Sequence, residues 1–493
     1  MEPIGTITRY FPLLDPETRR IIESVMGNSY NLRNFAHALS DGVCQLKAPD
    51  QTVFLAVHFA ALLFDFKSLD KIAKVHGKLS IIRPNLFYGS ALQGDPSYFA
   101  KVRESANEVL SAHPPDWLTL EMLMVKLEAE TSEYPTQVYD TSTYDAIVSL
   151  IEENQDFDFY VSRLKDTMTT RAIRDGDVGG ALELNQEAIE NAEKNDDVNR
   201  LAHLLRTRAG IIQSTNRSES RKLLHRAKSL MDLMGDQGGL ADVLFLLSKL
   251  DSIRGDYDSA IEHNLESVRL WESVGMPTGM SALTLSTLYN SIGDWDSGME
   301  WALMAEGELA SRPVYQPRAI LNQAWSMTLQ RKLPEARQTL DSVRESMIKS
   351  GIESNLGWLY FISSVVEAAE EDYSSAAMSV EESLDIYERS GGFVSFYICL
   401  HHRASIEVYS EQEDPSSDYE STGPWLTLLE EKAHSEDLPG ILGRALLLKA
   451  TSLRTKGADS ESLRVIEQLA SLVNEWNLEF LRPAVERFID SEN

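Results

Sequence analysis

The sequence predicts an all-α protein built as an α-α superhelix, a solenoid of antiparallel helix pairs. Three observations carry this. One short motif recurs at a nearly constant step, polar turns punctuate the chain between its copies, and apolar residues within each copy fall at helical spacing. At 493 residues the chain exceeds what a single hydrophobic core supports, so it is either several domains or an array growing in one direction. The recurring motif selects the array.

From the N-terminus, residues 1–130 read as helices at 16–26, 30–46, 51–65, 68–79, 84–93, 96–111 and 115–129. The run Thr52 to Phe64 is 13 residues long with His58 inside it, short of the about 20 apolar residues a membrane helix needs. It is expected to be a buried helix. Gly94-Asp95-Pro96-Ser97-Tyr98-Phe99-Ala100 has the form of an inter-helix turn, with proline where its missing N–H costs little. Two readings of 1–130 stay open, a degenerate extension of the array or a separate helical domain. Residues 131–143 are polar, carry Pro135 and show no helical period, so a joint is expected there.

The array is expected over 144–477. Its clearest copy is Gly255-Asp256-Tyr257-Asp258-Ser259-Ala260-Ile261-Glu262, matched 38 residues later by Gly293-Asp294-Trp295-Asp296-Ser297-Gly298-Met299-Glu300. With the small residue as marker, further copies fall at Ala181, Ser220, Ala336 and Ala376, so the steps are 39, 40, 38, 38 and 40. Fainter copies follow near Trp425 and Leu463. Each copy has the same local logic. Glycine or asparagine ends one helix, because glycine tolerates the left-handed conformation of a helix end. Asp or Ser then starts the next by accepting from its free backbone N–H groups. A small residue is required at the marker because two helices crossing closely leave no room for a long side chain.

GDYDSAIEHNLESVRL and GDWDSGMEWALMAEGEL resemble tetratricopeptide repeats, and Leu285, Ser286 and Tyr289 in the preceding helix stand where that family has leucine, glycine and tyrosine. The resemblance covers roughly 160–400. The step of 38 to 40 is longer than the family's usual repeat of about 34 residues, and is similar to the long-unit arrays of bacterial and archaeal regulators. It implies a solenoid of stacked helix pairs and makes 1–130 readable as degenerate pairs of the same kind.

Near the C-terminus, residues 411–424 form an acidic stretch long for a helix connection, expected as a loop within one repeat. Residues 478–493 are expected to form a capping helix, from Leu478 to Asp490, that closes the exposed edge of the core.

Composition narrows function. A formal charge of −30, from 76 acids and 46 bases, repels phosphate backbones and anionic headgroups, so neither nucleic acid nor membrane is an expected partner. The two cysteines, Cys44 and Cys399, have no paired spacing, and the N-terminus lacks the pattern of a secretory leader, so a cytoplasmic location is expected. No phosphate-binding loop, nucleophile elbow or His-Glu-x-x-His sequence is present, and no pair among 76 carboxylates can be singled out. Cys399, His401 and His402 have metal-ligand chemistry but lie too close together on one helix to share an ion. The expectation is therefore no enzyme, no cofactor and no metal.

Function then rests on the surface lined by the first helix of each repeat. Placing the chain on the repeat pattern directs Arg174, Arg206, Lys249, Asn290, Asn322 and Trp325 toward that groove, with Phe245, Trp358 and Phe361 as added aromatic surface. The expected role is a scaffold or adaptor that binds a peptide or protein segment there. The alternative is a regulatory sensor that binds a signalling peptide or small ligand and acts through a partner. The carboxylate-clamp pattern of related repeats is not matched.

Overall fold

Each repeat turn is set by two residues. In the computed structural model, the turn residue ahead of five of the six markers takes a left-handed conformation, Ser220 being the exception: Gly176, Gly255 and Gly293 have φ between 77° and 86°. Arg331 and Glu371 hold the same conformation without glycine, at 61° and 67°. Where an acid follows it caps the second helix, Asp177 accepting from the Gly180 N–H at 2.9 Å, Asp294 from Ser297 at 3.2 Å and Asp372 from Ser375 at 3.1 Å, whereas Lys332 after Arg331 makes no side-chain cap. The Gly-Asp motif is thus a helix stop followed by a helix start.

The small markers Ala181, Ser220, Ala260, Ala336 and Ala376 are fully buried where two helices cross, and Gly298 is buried with them. A Cβ at Gly298 would meet Asn290 Oδ1 at 2.2 Å. Serine hydroxyls tie the crossings. Ser248 donates to Ala260 O at 2.7 Å, Ser286 to Gly298 O at 2.8 Å and Ser364 to Ala376 O at 2.6 Å. In two other pairs the direction reverses, Ser220 donating to Ala209 O and Ser462 to Ala450 O, both at 2.8 Å. Ser462 marks the faint copy expected near Leu463.

The structure describes residues 5–92, 95, 97–132, 141–310, 312, 314–410 and 423–490, and every regular element among them is helical. The fold is the expected all-α, tetratricopeptide-like solenoid of antiparallel helix pairs. The middle of the expected joint (133–140), most of the expected acidic loop (411–422) and Gly94 and Pro96 of the expected N-terminal turn lie outside the described residues. Among the described residues, no helix is long and apolar enough to cross a membrane.

The chain divides into two compact units, Met1–Leu246 with Arg269–Pro277, and Leu247–Val268 with Thr278–Asn493. In unit 1 the N-terminal helices stand close to their expected places: Pro16–Met26, Leu32–Gln45, Asp50–Leu62, Phe66–His76, Arg83–Leu92, Tyr98–Ser111 and Asp116–Ser132. Helices Asp50–Leu62, Arg83–Leu92, Asp116–Ser132, Tyr160–Arg174 and Val198–Ile212 form an inner row, each touching the next. Asp50–Leu62 buries Thr52 through Ala60 without a break, the buried helix the apolar run predicts. Unit 1 has one continuous core from Ile7 to Met234.

In unit 2 the inner row is Gly279–Ile292, Gln316–Leu329, Glu353–Ala369, Phe393–Ser410 and Pro439–Thr455, again each in contact with the next. The last helix is shorter than expected. Glu479–Leu481 is a single 3-10 turn and the α-helix begins at Arg482, because Pro483 fits only the first turn of a helix. Leu478, Leu481 and Val485 pack onto Val465, Ile466 and Leu469 of the preceding helix.

Candidate functional site

The inner helices of unit 2 are apolar nearly all round, which a helix flanked on both sides by others must be. Glu353–Ala369 buries Trp358, Leu359, Phe361, Ile362 and Val366 in close succession. Side chains on its flanks therefore meet the neighbouring repeat. Asn322 is fully buried: its Nδ2 donates to Leu283 O at 3.3 Å and Thr287 Oγ1 at 3.0 Å, and its Oδ1 accepts from Trp358 Nε1 at 2.9 Å. Asn290 Nδ2 donates to Asn322 O at 3.2 Å, and its Oδ1 accepts from Ser326 at 2.8 Å. This amide ladder satisfies buried polar groups between repeats. Trp325, Trp358 and Phe361 form an edge-packed aromatic cluster with ring centres 5.0 to 5.9 Å apart.

The first and last hairpins of unit 2 touch. Gly255, in its left-handed turn, lies so close to Gly440 that a Cβ on Gly255 would fall 2.6 Å from the Gly440 backbone. The Tyr257 and Phe480 rings are 5.1 Å apart, and Asp258 Oδ2 accepts from the Phe480 N–H at 3.2 Å. Arg444 sits over both rings, at 4.5 Å from Tyr257 and 5.3 Å from Phe480, while its Nη2 donates to Ser291 O at 2.6 Å. Unit 2 closes on itself, and its concave face becomes a cup.

The cup has a volume of about 610 Å³. Buried Trp325, Phe361, Tyr397 and Ile406 form its floor, with Asn290 at one side. Arg331, Glu371, Tyr373 and Tyr409 stand on the rim, Tyr409 being 46% exposed. The last turns of Gly279–Ile292, Gln316–Leu329, Glu353–Ala369 and Phe393–Ser410 all reach it, bringing the electronegative ends of four helices to one wall. Arg444 and Arg331 offset part of that field. His401 and His402 also line it. Burial holds His402 down to about 4, and burial with the nearby Arg444 charge holds His401 well below its ordinary value, so both are neutral at pH 7. His402 Nε2 is 3.1 Å from Ser364 Oγ.

Of the residues placed toward the groove by the repeat pattern, Asn290, Trp325 and Phe361 reach the cup as wall and floor. Asn322 and Trp358 are buried between repeats, because neighbouring helices cover the flank they occupy. Arg174 is exposed at the end of its helix and donates to Ser132 O at 3.1 Å. Arg206 pairs with Asp242, and the Phe245 ring lies 5.7 Å from that of Trp271. Lys249 is half-buried, and burial, aided by the Arg318 charge, lowers its pKa. These four do not line the cup. Sequence reasoning missed Tyr397, Tyr373, Tyr409 and Arg444; the Gly-Asp-Tyr and Glu-Asp-Tyr turns carry Tyr257 and Tyr373, and were the available signal. Cys399 is a core residue, its thiol pushed up to about 12 by burial and its Sγ 3.2 Å from Ser383 Oγ. Among the described residues, no group of three or more His, Cys, Asp or Glu is placed to hold a metal ion.

Unit 1 is built differently. Its inner row buries a charged network: Tyr160 donates to Glu121 Oε1 at 2.5 Å, and Arg163 donates to Glu121 Oε2 and Glu128 Oε1, each at 2.7 Å. Burial opposes the Glu121 charge, yet Arg163, His58 and the two hydrogen bonds more than offset it and lower its pKa. His58 accepts or donates to Tyr10 OH at 2.8 Å, and burial pulls its pKa to about 4.

No protein-family description matches the sequence, and no curated protein does. Among solved structures, the chain is similar to Rap protein complexed with competence and sporulation factor, at 14% identity over 68% of this chain and 100% of that one, with a TM-score of 0.43. It is similar also to a signal transduction ATPase with numerous domains carrying a tetratricopeptide repeat sensor, from Pyrococcus horikoshii. There the identity is 12% over 92% of this chain and 65% of that one, with a TM-score of 0.38. These superpositions are partial, and the tetratricopeptide-like assignment rests on the turn, marker and crossing geometry of this chain's own helix pairs.

Proposed function

We propose that this protein is a non-catalytic interaction module, an adaptor of the cytoplasm, whose unit 2 cup receives a peptide or protein segment. The observation that carries this is the cup itself. Its aromatic floor offers apolar anchorage, its rim tyrosines combine an apolar face with a hydroxyl, and its two histidines offer uncharged imidazoles. Such a surface holds a segment by shape and hydrogen bonds without a covalent step. Nucleic acid and anionic membrane fit poorly with a chain of charge −30.

The closure of unit 2 favours a second reading, the ligand-responsive sensor. A closed array can change its compactness when the cup fills, whereas an open groove has no closure to lose. The contact of Gly255 with Gly440 and the Arg444 bridge over Tyr257 and Phe480 are the element that would respond.

Random peptide display on the whole protein, followed by fluorescence anisotropy of enriched peptides, tests the proposal. Peptides should be enriched, and Tyr373→Ala with Tyr409→Ala should weaken their binding tenfold or more. No enrichment, or equal binding by the double variant, contradicts it. Small-angle scattering then separates the readings: an adaptor keeps its radius of gyration on binding, and a sensor changes it.

A further inference from the structure

Among the described residues, seven other than glycine hold a positive φ. His113, Asp196, Asp437 and Asn477 are of the types most often found in that conformation. The other three are Phe64, Arg331 and Glu371, and each lines a recess: Phe64 on the inner row of unit 1, Arg331 and Glu371 on the rim of the unit 2 cup. At the same point of their turns, Gly176, Gly255 and Gly293 adopt the conformation without strain. The array thus has a relaxed residue for this position, and the two turns whose residue itself lines the cup do without it. Strain retained at a binding surface points to a use for the side chain.

Both side chains are available. Arg331, Glu371 and Arg444 are the charged residues lining the cup, and Arg444 is committed to Tyr257, Phe480 and Ser291 O. Arg331 and Glu371 are exposed, and among the described residues neither makes an ion pair or a side-chain hydrogen bond. Their turns follow Gln316–Leu329 and Glu353–Ala369, neighbours that pack directly in the inner row. Packed helix axes lie about 8 to 10 Å apart and an extended chain advances about 3.3 Å per residue, so the two charges address ligand positions about three residues apart.

We infer that the segment received by the cup carries an acidic and a basic residue at about that spacing, the acid accepting from Arg331 and the base donating to Glu371. A residue between them is apolar and turns to the Trp325 and Phe361 floor. This rests on the cup reading above and adds the partner's charge pattern to it. The opposed signs also exclude other segments. An all-acidic one meets Glu371 and the electronegative helix ends, and an all-basic one meets Arg331 and Arg444.

A random dodecapeptide display library is the probe, selected against the full wild-type chain and against the single reversals Arg331→Glu and Glu371→Arg, with affinities read by fluorescence anisotropy. Wild type should enrich peptides that pair one acid with one base around an apolar residue. Arg331→Glu should enrich two bases at the same spacing, and Glu371→Arg two acids. Arg331→Gly and Glu371→Gly should each weaken the wild-type peptides about fivefold, the scale of a strong exposed ion pair. Both glycine variants should melt at the wild-type temperature or above, since glycine relaxes a positive φ. Enriched peptides lacking the charge pair, the same charges selected by all three proteins, or unchanged affinity in the glycine variants overturn the inference and leave the cup reading in place. A lower melting temperature in either glycine variant also overturns it, since that side chain would then serve the fold. A library that enriches nothing contradicts the cup reading and this inference together.

Discussion

The two units use one architecture and fill its inner face with opposite chemistry. Unit 1 lines its inner row with arginines and carboxylates that neutralise one another around Glu121 and Arg163. Unit 2 lines its row with tryptophan, phenylalanine, tyrosine and amides and then closes its ends. The difference shows that stacking of helix pairs leaves the concave face free. The small markers and serine crossings hold the pairs together, and the inner face carries whatever recognition requires.

The comparison can be broken most sharply at Glu121. Replacing it by leucine leaves the Tyr160 hydroxyl and one arm of Arg163 unpartnered in a buried site, and unit 1 should lose about 4 kcal/mol, read by urea unfolding. Peptide binding in the unit 2 cup should persist in whatever fraction remains folded.

Acid titration next probes a buried histidine in each unit. The unfolded chain takes up a proton on His58 near its ordinary value of 6.5, while the folded chain resists until about 4. Protons therefore favour the unfolded state in that window, and stability falls as pH drops from 6.5 to 4, by about 3 kcal/mol for this one group. Glu121 has the depressed pKa of a paired carboxylate, so its contribution is present above the ordinary carboxylate range and is lost only at lower pH, as the pH falls through its folded value. His58→Gln should flatten the upper part of the profile. His402 acts in the same sense in unit 2, and His402→Asn should remove that share.

Smaller effects sharpen the unit 2 half. Phe480→Ala removes a half-buried ring from the contact with Tyr257 and Arg444 and should cost about 2 kcal/mol, with faster hydrogen exchange in the turn at 255–257. Ser286→Ala deletes one crossing hydrogen bond, to Gly298 O, for about 1 kcal/mol in a thermal melt.

Much of the architecture is legible in the sequence. The Gly-Asp turn is a local device, with the left-handed residue and its capping acid adjacent in the chain, so Gly293 and Asp294 announce their geometry directly. Ala260 and Gly298 declare close crossings for the same reason. The site is only partly legible. Repeat register gives the angle of Asn322 and Trp358 about the helix axis, but not which sector the neighbouring helix covers, and both are buried by the adjacent repeat. The closure of unit 2 joins residues as far apart as Asp258 and Phe480, 222 positions away, and no local pattern encodes it. Glu121 is one carboxylate among 76 until Tyr160 and Arg163 are brought to it by other helices.

Hydrogen exchange on the whole protein, with and without a display-selected peptide at saturation, tests the central claim most directly. Added protection should fall on 325–329, 361–369 and 397–409, the stretches of three inner helices of unit 2 that line the cup. Protection confined to the second helices, such as Leu333–Ser350 and Tyr373–Ser390, or to unit 1, would contradict the assignment of the cup as the place where a segment binds.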